Sequence, residues 1–156
     1  MRALVAVAAL ASIALAGVSE AQMKSGTCPV KPGAECDHAR FRDMKLAKGN
    51  WTNAKLQKSD FRGASLVKIK LNGADLRGAN FEGAVIEDVD FSNARLDGAI
   101  FAKTKMEAVS FRESDLQNAN FEGAKLKEVD FKKAFMGNVV WTDGKKCKPY
   151  SNGACQ

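Results

Sequence analysis

The stretch Gly78–Ala94, GANFEGAVIEDVDFSNA, returns forty residues later as Asn118–Ala134, NANFEGAKLKEVDFKKA. Within each copy an apolar residue recurs every fifth position. Taken in fives from Ala39, the third residue of each pentad falls at 41, 46, 51 and onward to 141, twenty-one positions in all. Every one is large and apolar. The residue two before each centre is small or aliphatic, mostly Ala, otherwise Gly, Ser, Thr, Val, Ile or Met. The remaining positions are largely charged, amide, Ser or Gly.

A step of five suits no regular element. On an α-helix it turns successive residues by ~140°, so the apolar set spreads round all sides. On a straight strand an odd step sends alternate pentads to opposite faces. The pattern works if the chain turns a corner once per pentad. The centre and the residue two before it then point the same way, by the strand's period of two. Corners of ~90° close a square in four pentads, and short strands of successive twenty-residue coils pair along the axis at ~4.8 Å. The expected fold is all-β, a solenoid with a dry interior.

A second signal supports the twenty-residue coil. Val or Ile stands two before the centre at 69, 89, 109 and 129, each twenty apart, and again at 139. Aromatic centres alternate with aliphatic ones, broken only at Leu71. Four-sided coils then carry aromatic stacks on two opposite faces. Phe61, Phe81, Phe101 and Phe121 should form one stack. Asn50, Asp60, Asp75, Asn80, Asp90, Asp115, Asn120 and Asp130 precede centres. There their side chains can hydrogen-bond the corner backbone. Gly63, Gly73, Gly78, Gly83, Gly98 and Gly123 end pentads, where a tight corner suits glycine.

The chain resembles the pentapeptide-repeat family, whose motif is A(D/N)Lxx. The segment GADLRGANFEGA, Gly73–Ala84, is close to that motif, and the likeness runs from Ala39 to about Asp143. The resemblance implies a right-handed quadrilateral β-helix, here of about five coils. The closing WTDGKKCKPYSNGAC, Trp141–Cys155, is similar to the cysteine-bearing C-terminus of exported members of the family.

The first twenty-two residues, MRALVAVAALASIALAGVSEAQ, read as a secretory leader: Arg2, an apolar run from Ala3 to Ala16, then small residues at Ser19 and Ala21. Cleavage is expected after Ala21, with Ala16 as the alternative. The run is short for the ~20 residues of a membrane span, and Val18 stands where a lipoprotein signal needs cysteine. The mature chain is expected to be secreted or periplasmic, without a membrane span. Its organisation reads as a leader over 1–21, an N-terminal cap over 22–38, the repeat over 39–143 and a C-terminal cap over 144–156.

Four cysteines, Cys28, Cys36, Cys147 and Cys155, form two C-x7-C pairs at opposite ends. An even count in an exported chain reads as disulfides; zinc would want four Cys or His ligands together, and the one histidine is His38. A little over five coils span roughly 25 Å. A disulfide needs its Cα atoms within ~7 Å. The expected pairs are therefore Cys28–Cys36 and Cys147–Cys155, closing loops that cap the two ends, with Trp141 sealing the C-terminal side of the aromatic stack.

Some members of the family act on DNA gyrase as DNA mimics, and mimicry needs negative charge along the rod. This chain has net charge +6. Residues 39–58 carry six basic residues against one acidic, net +5; the following coils carry +2, −4, 0 and +1. No nucleophile-and-base pair, phosphate loop or metal box stands out, so neither catalysis nor a cofactor is expected. The reading is a non-enzymatic exported module, structural or protein-binding, with a gyrase-directed mimic as the alternative. Arg40, Arg42, Lys45, Lys48, Lys55 and Lys58 are a candidate surface for an anionic envelope polymer, with no nucleic acid expected as partner. Ile100, Phe135 and Val140 are apolar at outward positions. They form a candidate protein-docking patch unless the C-terminal loop covers Phe135 and Val140. The chain is expected to be a monomer or an end-to-end dimer.

Overall fold

A computed structural model describes residues 28–155; the leader and both cleavage sites fall outside them. Among the described residues there is no helix. Five short strands lie one per coil: β1 (Lys45–Ala47), β2 (Ser65–Val67), β3 (Val85–Glu87), β4 (Lys105–Ser110) and β5 (Lys125–Asp130). They stack in chain order as one parallel sheet, with Leu46, Leu66, Ile86, Met106 and Leu126 in register. The other three sides pair in the same step of twenty. Their bridges run Asn50–Lys70–Asp90–Ser110, Lys55–Asp75–Arg95–Asp115 and Asp60–Asn80–Ile100–Asn120. The molecule is a four-sided parallel β-solenoid.

Each pentad ends in a left-handed residue. Every fifth position from Gly33 to Asn138 has φ between 52° and 70°. The expected glycines are there, yet Asp, Asn, Lys, Glu, Ala and His occupy the same conformation at most corners. A non-glycine residue in this region costs about 1–2 kcal/mol, so apolar burial inside each pentad must offset strain at its end. At three of the four corners a bond closes the turn, as from the Ala54 N–H to the Trp51 carbonyl at 3.0 Å. The fourth corner, following the β1–β5 side, has no such bond at Gly49, Ile69 or Val89. This is where the Val/Ile ladder stands. All eight Asn and Asp residues expected at corners accept a bond from the backbone N–H two residues on.

The interior is filled by ladders of large apolar side chains, several of them runs of one residue type. Phe41, Phe61, Phe81, Phe101 and Phe121 stack in sequence with ring centroids 4.6–4.9 Å apart. Phe91, Phe111 and Phe131 stack on the opposite side at 5.0 and 5.3 Å. Rings of the two stacks meet edge to face, as Phe81 with Phe91 at 85° and Phe101 with Phe111 at 79°. Such contacts add about 0.5–1.5 kcal/mol each beyond area burial. Leu71, the break in the alternation, lies one coil from Trp51. The buried hydroxyls of Thr104 and Ser114 donate to the carbonyls of Phe101 and Phe111.

The ends depart from the repeat. At the N-terminal end pairing starts earlier than the boundary at Ala39: Cys36 donates its N–H to Lys55, and Glu35 pairs with Lys55. Cys36 fills the place of a large apolar centre, so the pattern of centres hid this pentad. Cys28 bonds to Cys36 across a Cα separation of 5.3 Å. The loop it closes brings Val30 against Gly49, where an added Cβ would meet the Val30 side chain at 2.9 Å. Val30 thus supplies the side chain that Ile69 and Val89 supply in later coils. The indole N–H of Trp51 donates to the Pro29 carbonyl.

At the C-terminal end Cys147 bonds to Cys155, Cα atoms 4.8 Å apart. The tail runs antiparallel along the last coil, pairing Lys146 with Val140 and Asn152 with Phe135. It covers two of the four sides. Trp141 packs edge-on against Phe131 at 5.3 Å and lies tilted on Phe121 at 5.8 Å.

Replacing Phe81 or Phe101 with Ala should cost about 3–5 kcal/mol in denaturant unfolding, whereas Glu82→Ala, in an exposed ion pair, should cost under about 1 kcal/mol. Equal losses would contradict the ladder. A Cβ at Gly137 would lie 2.2 Å from the Pro149 carbonyl oxygen. Gly137→Val should therefore lift the tail off the last coil and raise amide exchange at Met136 and Cys147, leaving the middle coils protected.

Candidate interaction surfaces

With the interior closed, only outward side chains and the two ends remain for function. At several places along the rod charges of opposite sign face each other from coil to coil, whereas on the β-strand side Glu87 lies in register with Glu107 and Lys105 with Lys125. Lys55 reaches Glu35 at 2.7 Å, Arg95 reaches Asp75 at 3.4 Å and Lys133 reaches Glu113 at 3.3 Å; Lys127 pairs with Glu107. One column reads Glu35, Lys55, Asp75, Arg95, Asp115 and then Phe135. The alternation is strict until Phe135 breaks it.

Two pairs are firmer than the rest. Arg62 grips Asp60 with two guanidinium bonds at 2.8 and 2.6 Å, and Arg77 grips Asp75 in the same way. The Arg62 bond holds Asp60 below the ordinary carboxylate range. At Asp75 burial pushes upward, but the Arg77 bonds and the Arg95 charge outweigh it, and the carboxyl is also held low.

The six basic residues of the first coil do not form one patch. Arg40 and Arg42 lie on the Phe61 side, Lys45 opens β1, Lys48 stands at the corner that follows it, and Lys55 and Lys58 lie on the side of Leu56. Lys55 is engaged by Glu35, and Arg42 stands 3.5 Å from Asp43. Ile100 and Val140 share a column with Asn120 between them. Phe135 lies on the neighbouring side.

The C-terminal loop pairs with the backbone of Phe135 but leaves the residue 54% exposed. Val140 is partly covered. Tyr150, on that loop, is 95% exposed and lines a notch with Phe135, Pro149, Gln117 and Asn152. Tyr150 escaped the pattern because the repeat says nothing of where the loop lands. Among the described residues no group of three or more His, Cys, Asp or Glu side chains could hold a metal ion, and no helix is long and apolar enough to cross a membrane.

A model described as pentapeptide repeats, in eight copies, matches residues 34–73, 64–102, 74–112 and 104–140. The chain belongs to the pentapeptide-repeat family. It is similar to a pentapeptide repeat protein of the Arabidopsis thaliana thylakoid lumen, with TM-score 0.64 and 24% identity over 73% of this chain and 85% of that one. It is also similar to QnrB1, a plasmid-mediated fluoroquinolone resistance protein, with TM-score 0.52 and 15% identity over 70% of this chain and 62% of that one. At these identities the two likenesses concern the fold. Comparison of the sequence with curated proteins gives no match.

Asp60 and Asp75 titrate below their unfolded values, so the stability they contribute is present above the unfolded carboxylate pKa. It is lost as pH falls through the folded value. Melting temperature should fall as pH drops below about 4, and Asp75→Asn should flatten that part of the profile while lowering stability at pH 7. An unchanged acid limb in Asp75→Asn would show that this pair carries no pH-dependent stability.

Proposed function

We propose that this pentapeptide-repeat protein is a non-catalytic binding or structural module of an oxidising, exported compartment. The observation that carries the reading is the pair of short disulfide loops, Cys28–Cys36 and Cys147–Cys155, one at each end of the rod. Disulfides persist where thiols are not kept reduced. The leader expected over 1–21 agrees with that placement, and the partner is a protein or an anionic envelope polymer. Conserved chemistry of a reacting site is not needed for this role: the repeated coil offers a rigid rod whose outward residues are free to vary.

The likeness to QnrB1 invites the other reading, a DNA mimic directed at a topoisomerase. Charge argues against it. Only the coil over 79–98 is acidic, at −4, whereas the first carries +5. A rod of mixed sign with a basic end does not present the continuous negative potential of a phosphate backbone.

Fractionation of cells expressing a C-terminally tagged chain should place it outside the cytoplasm, with all four cysteines unreactive to thiol reagents until reduced. The purified protein should leave gyrase supercoiling and its inhibition by fluoroquinolones unchanged. Retention in the cytoplasm with reduced cysteines would overturn the exported role, and a dose-dependent effect on gyrase would establish the mimic.

A further inference from the structure

The notch beside Phe135 differs in chemistry from the charged surface around it. No charged side chain lines it: its walls are Phe135, Tyr150, Pro149, Gln117 and Asn152, and Gly137 lies at its floor. Two outward positions change character in the last coil to make it. Asp115 and Gln117 of one coil are followed, in register, by Phe135 and Gly137. Position 137 must stay bare, because an added Cβ would lie 2.2 Å from the Pro149 carbonyl oxygen. The outward column of Gln117 therefore has a gap, bordered by Gln117 on the rod and by Tyr150 on the tail.

The gap carries an unsatisfied donor. One coil earlier the Gln117 N–H is accepted by the Asp115 carboxylate at 3.2 Å. Phe135 stands in the equivalent place and offers no acceptor. Gly137 is buried, and among the described residues nothing accepts its N–H. A buried N–H without a partner is costly, and an acceptor on a bound molecule would satisfy it. Gln117 also donates its Nε2 to Asp115 at 3.2 Å, which orients the amide and leaves Oε1 as an acceptor. Asn152 is exposed and supplies a second amide. The site thus joins two aromatic rings, two side-chain amides and one backbone donor, all uncharged.

We propose that this notch binds one sugar ring of an uncharged, N-acetylated glycan. A pyranose has C–H groups on its faces, which pack on aromatic rings, and hydroxyls round its edge, which bond to amides. The acetamido carbonyl takes the Gly137 N–H, the acetyl methyl lies against Phe135 and Pro149, and the ring hydroxyls meet Gln117 and Asn152. Tyr150 covers the outer face. The notch measures about 240 Å³, less than the ~300–1,000 Å³ of sites that enclose a drug-sized ligand, so it takes a single residue of a chain that continues past it. A proline-rich peptide, the other ligand of aromatic-lined grooves, calls for an extended groove matched to its PxxP spacing; here the charges of Asp115 and Arg95 bound the notch instead. The proposal rests on the exported compartment argued above. It concerns a neutral ligand at the C-terminal end, distinct from the anionic polymer considered for the basic first coil.

Titration of the purified, disulfide-bonded chain with a β-1,4-linked tetramer of N-acetylglucosamine, followed by amide NMR, tests this. The expected result is saturable shifts at Gln117, Gly137 and Tyr150 with Kd about 1 mM or tighter, the Gly137 N–H moving downfield as it gains an acceptor. The glucose tetramer, which lacks the acetamido group, should bind at least about tenfold more weakly. Tyr150→Ala removes a side chain that is 95% exposed and should weaken binding about tenfold with an unchanged thermal melt. Phe135→Lys returns the column to its alternation of sign against Asp115 and should abolish binding; Tyr150→Ala keeps the test decisive if that variant fails to fold. The proposal is overturned by a parent without saturable shifts at these amides up to about 10 mM sugar, by equal binding of the glucose tetramer, or by a folded variant that binds as the parent does. Shifts at the same amides with a proline-rich peptide and none with the sugar would also overturn it. The titration reads the notch alone, so retention of the tagged chain in the cytoplasm would remove the exported role without altering this result.

Discussion

The left-handed residue at every fifth position is the constraint on which the rest of the solenoid depends. Without it, a chain with apolar residues at a step of five would turn half of them outward. With it, the backbone bends once per pentad and all centres face one interior. Strain at these corners is local, and the burial that offsets it is cumulative. Each Phe or Leu centre lies between its equivalents twenty residues before and after, so the coil is stabilised mainly by its two neighbours along the axis. That is why the corner tolerates Lys, Glu or Asn as readily as Gly: the side chain points to solvent, and the core supplies the balance.

Much of this was legible in the sequence because the physical code is one-dimensional. The step of five names the inward positions, and the Val/Ile recurrence at 69, 89, 109 and 129 counts the coil. The structure adds why β-branched residues stand there, at the one corner without a closing turn bond. The disulfide pairing was legible because a rod keeps its ends apart. The ends themselves were less so. Cys36 fills a centre without looking like one, and the Ala34 pentad therefore passed as part of a cap. Val30 and Gly49 make up one inward position between them, which no single-residue pattern reveals. At the other end, the composition of CKPYSNGAC suggests a compact loop, but not that its chain crosses Gly137 closely enough to exclude a side chain. Nor does it show that two sides of the last coil stay open.

The candidate surfaces illustrate a second limit. Charge counted coil by coil finds the basic first coil, but a coil wraps the rod, and a net charge of +5 spread round four sides is not a patch. The structure exposes a different order, the alternation of sign down a column, which joins residues twenty apart. Exposed pairs of this kind contribute little each. Their value is in register, since a coil slipped by one pentad would place many of them against unrelated residues.

Departures from that order carry more information than the order itself. The column Glu35, Lys55, Asp75, Arg95, Asp115 ends in Phe135 instead of a cation, and Tyr150 stands exposed beside it on a disulfide-closed loop. Both lie at the end where the tail leaves β5 uncovered. A rod built of equivalent coils has little reason to distinguish one coil from another in its middle, where each neighbour is another coil. Its two ends differ by necessity, because one must begin the pairing and the other must stop it. The N-terminal end begins within the repeat, using Cys36 and Val30 in place of regular centres. The C-terminal end stops by an antiparallel tail too short to close the square. The physical asymmetry of the molecule is therefore concentrated at its C-terminal end, where exposed aromatic residues and a strand paired on one edge only lie within one coil of each other.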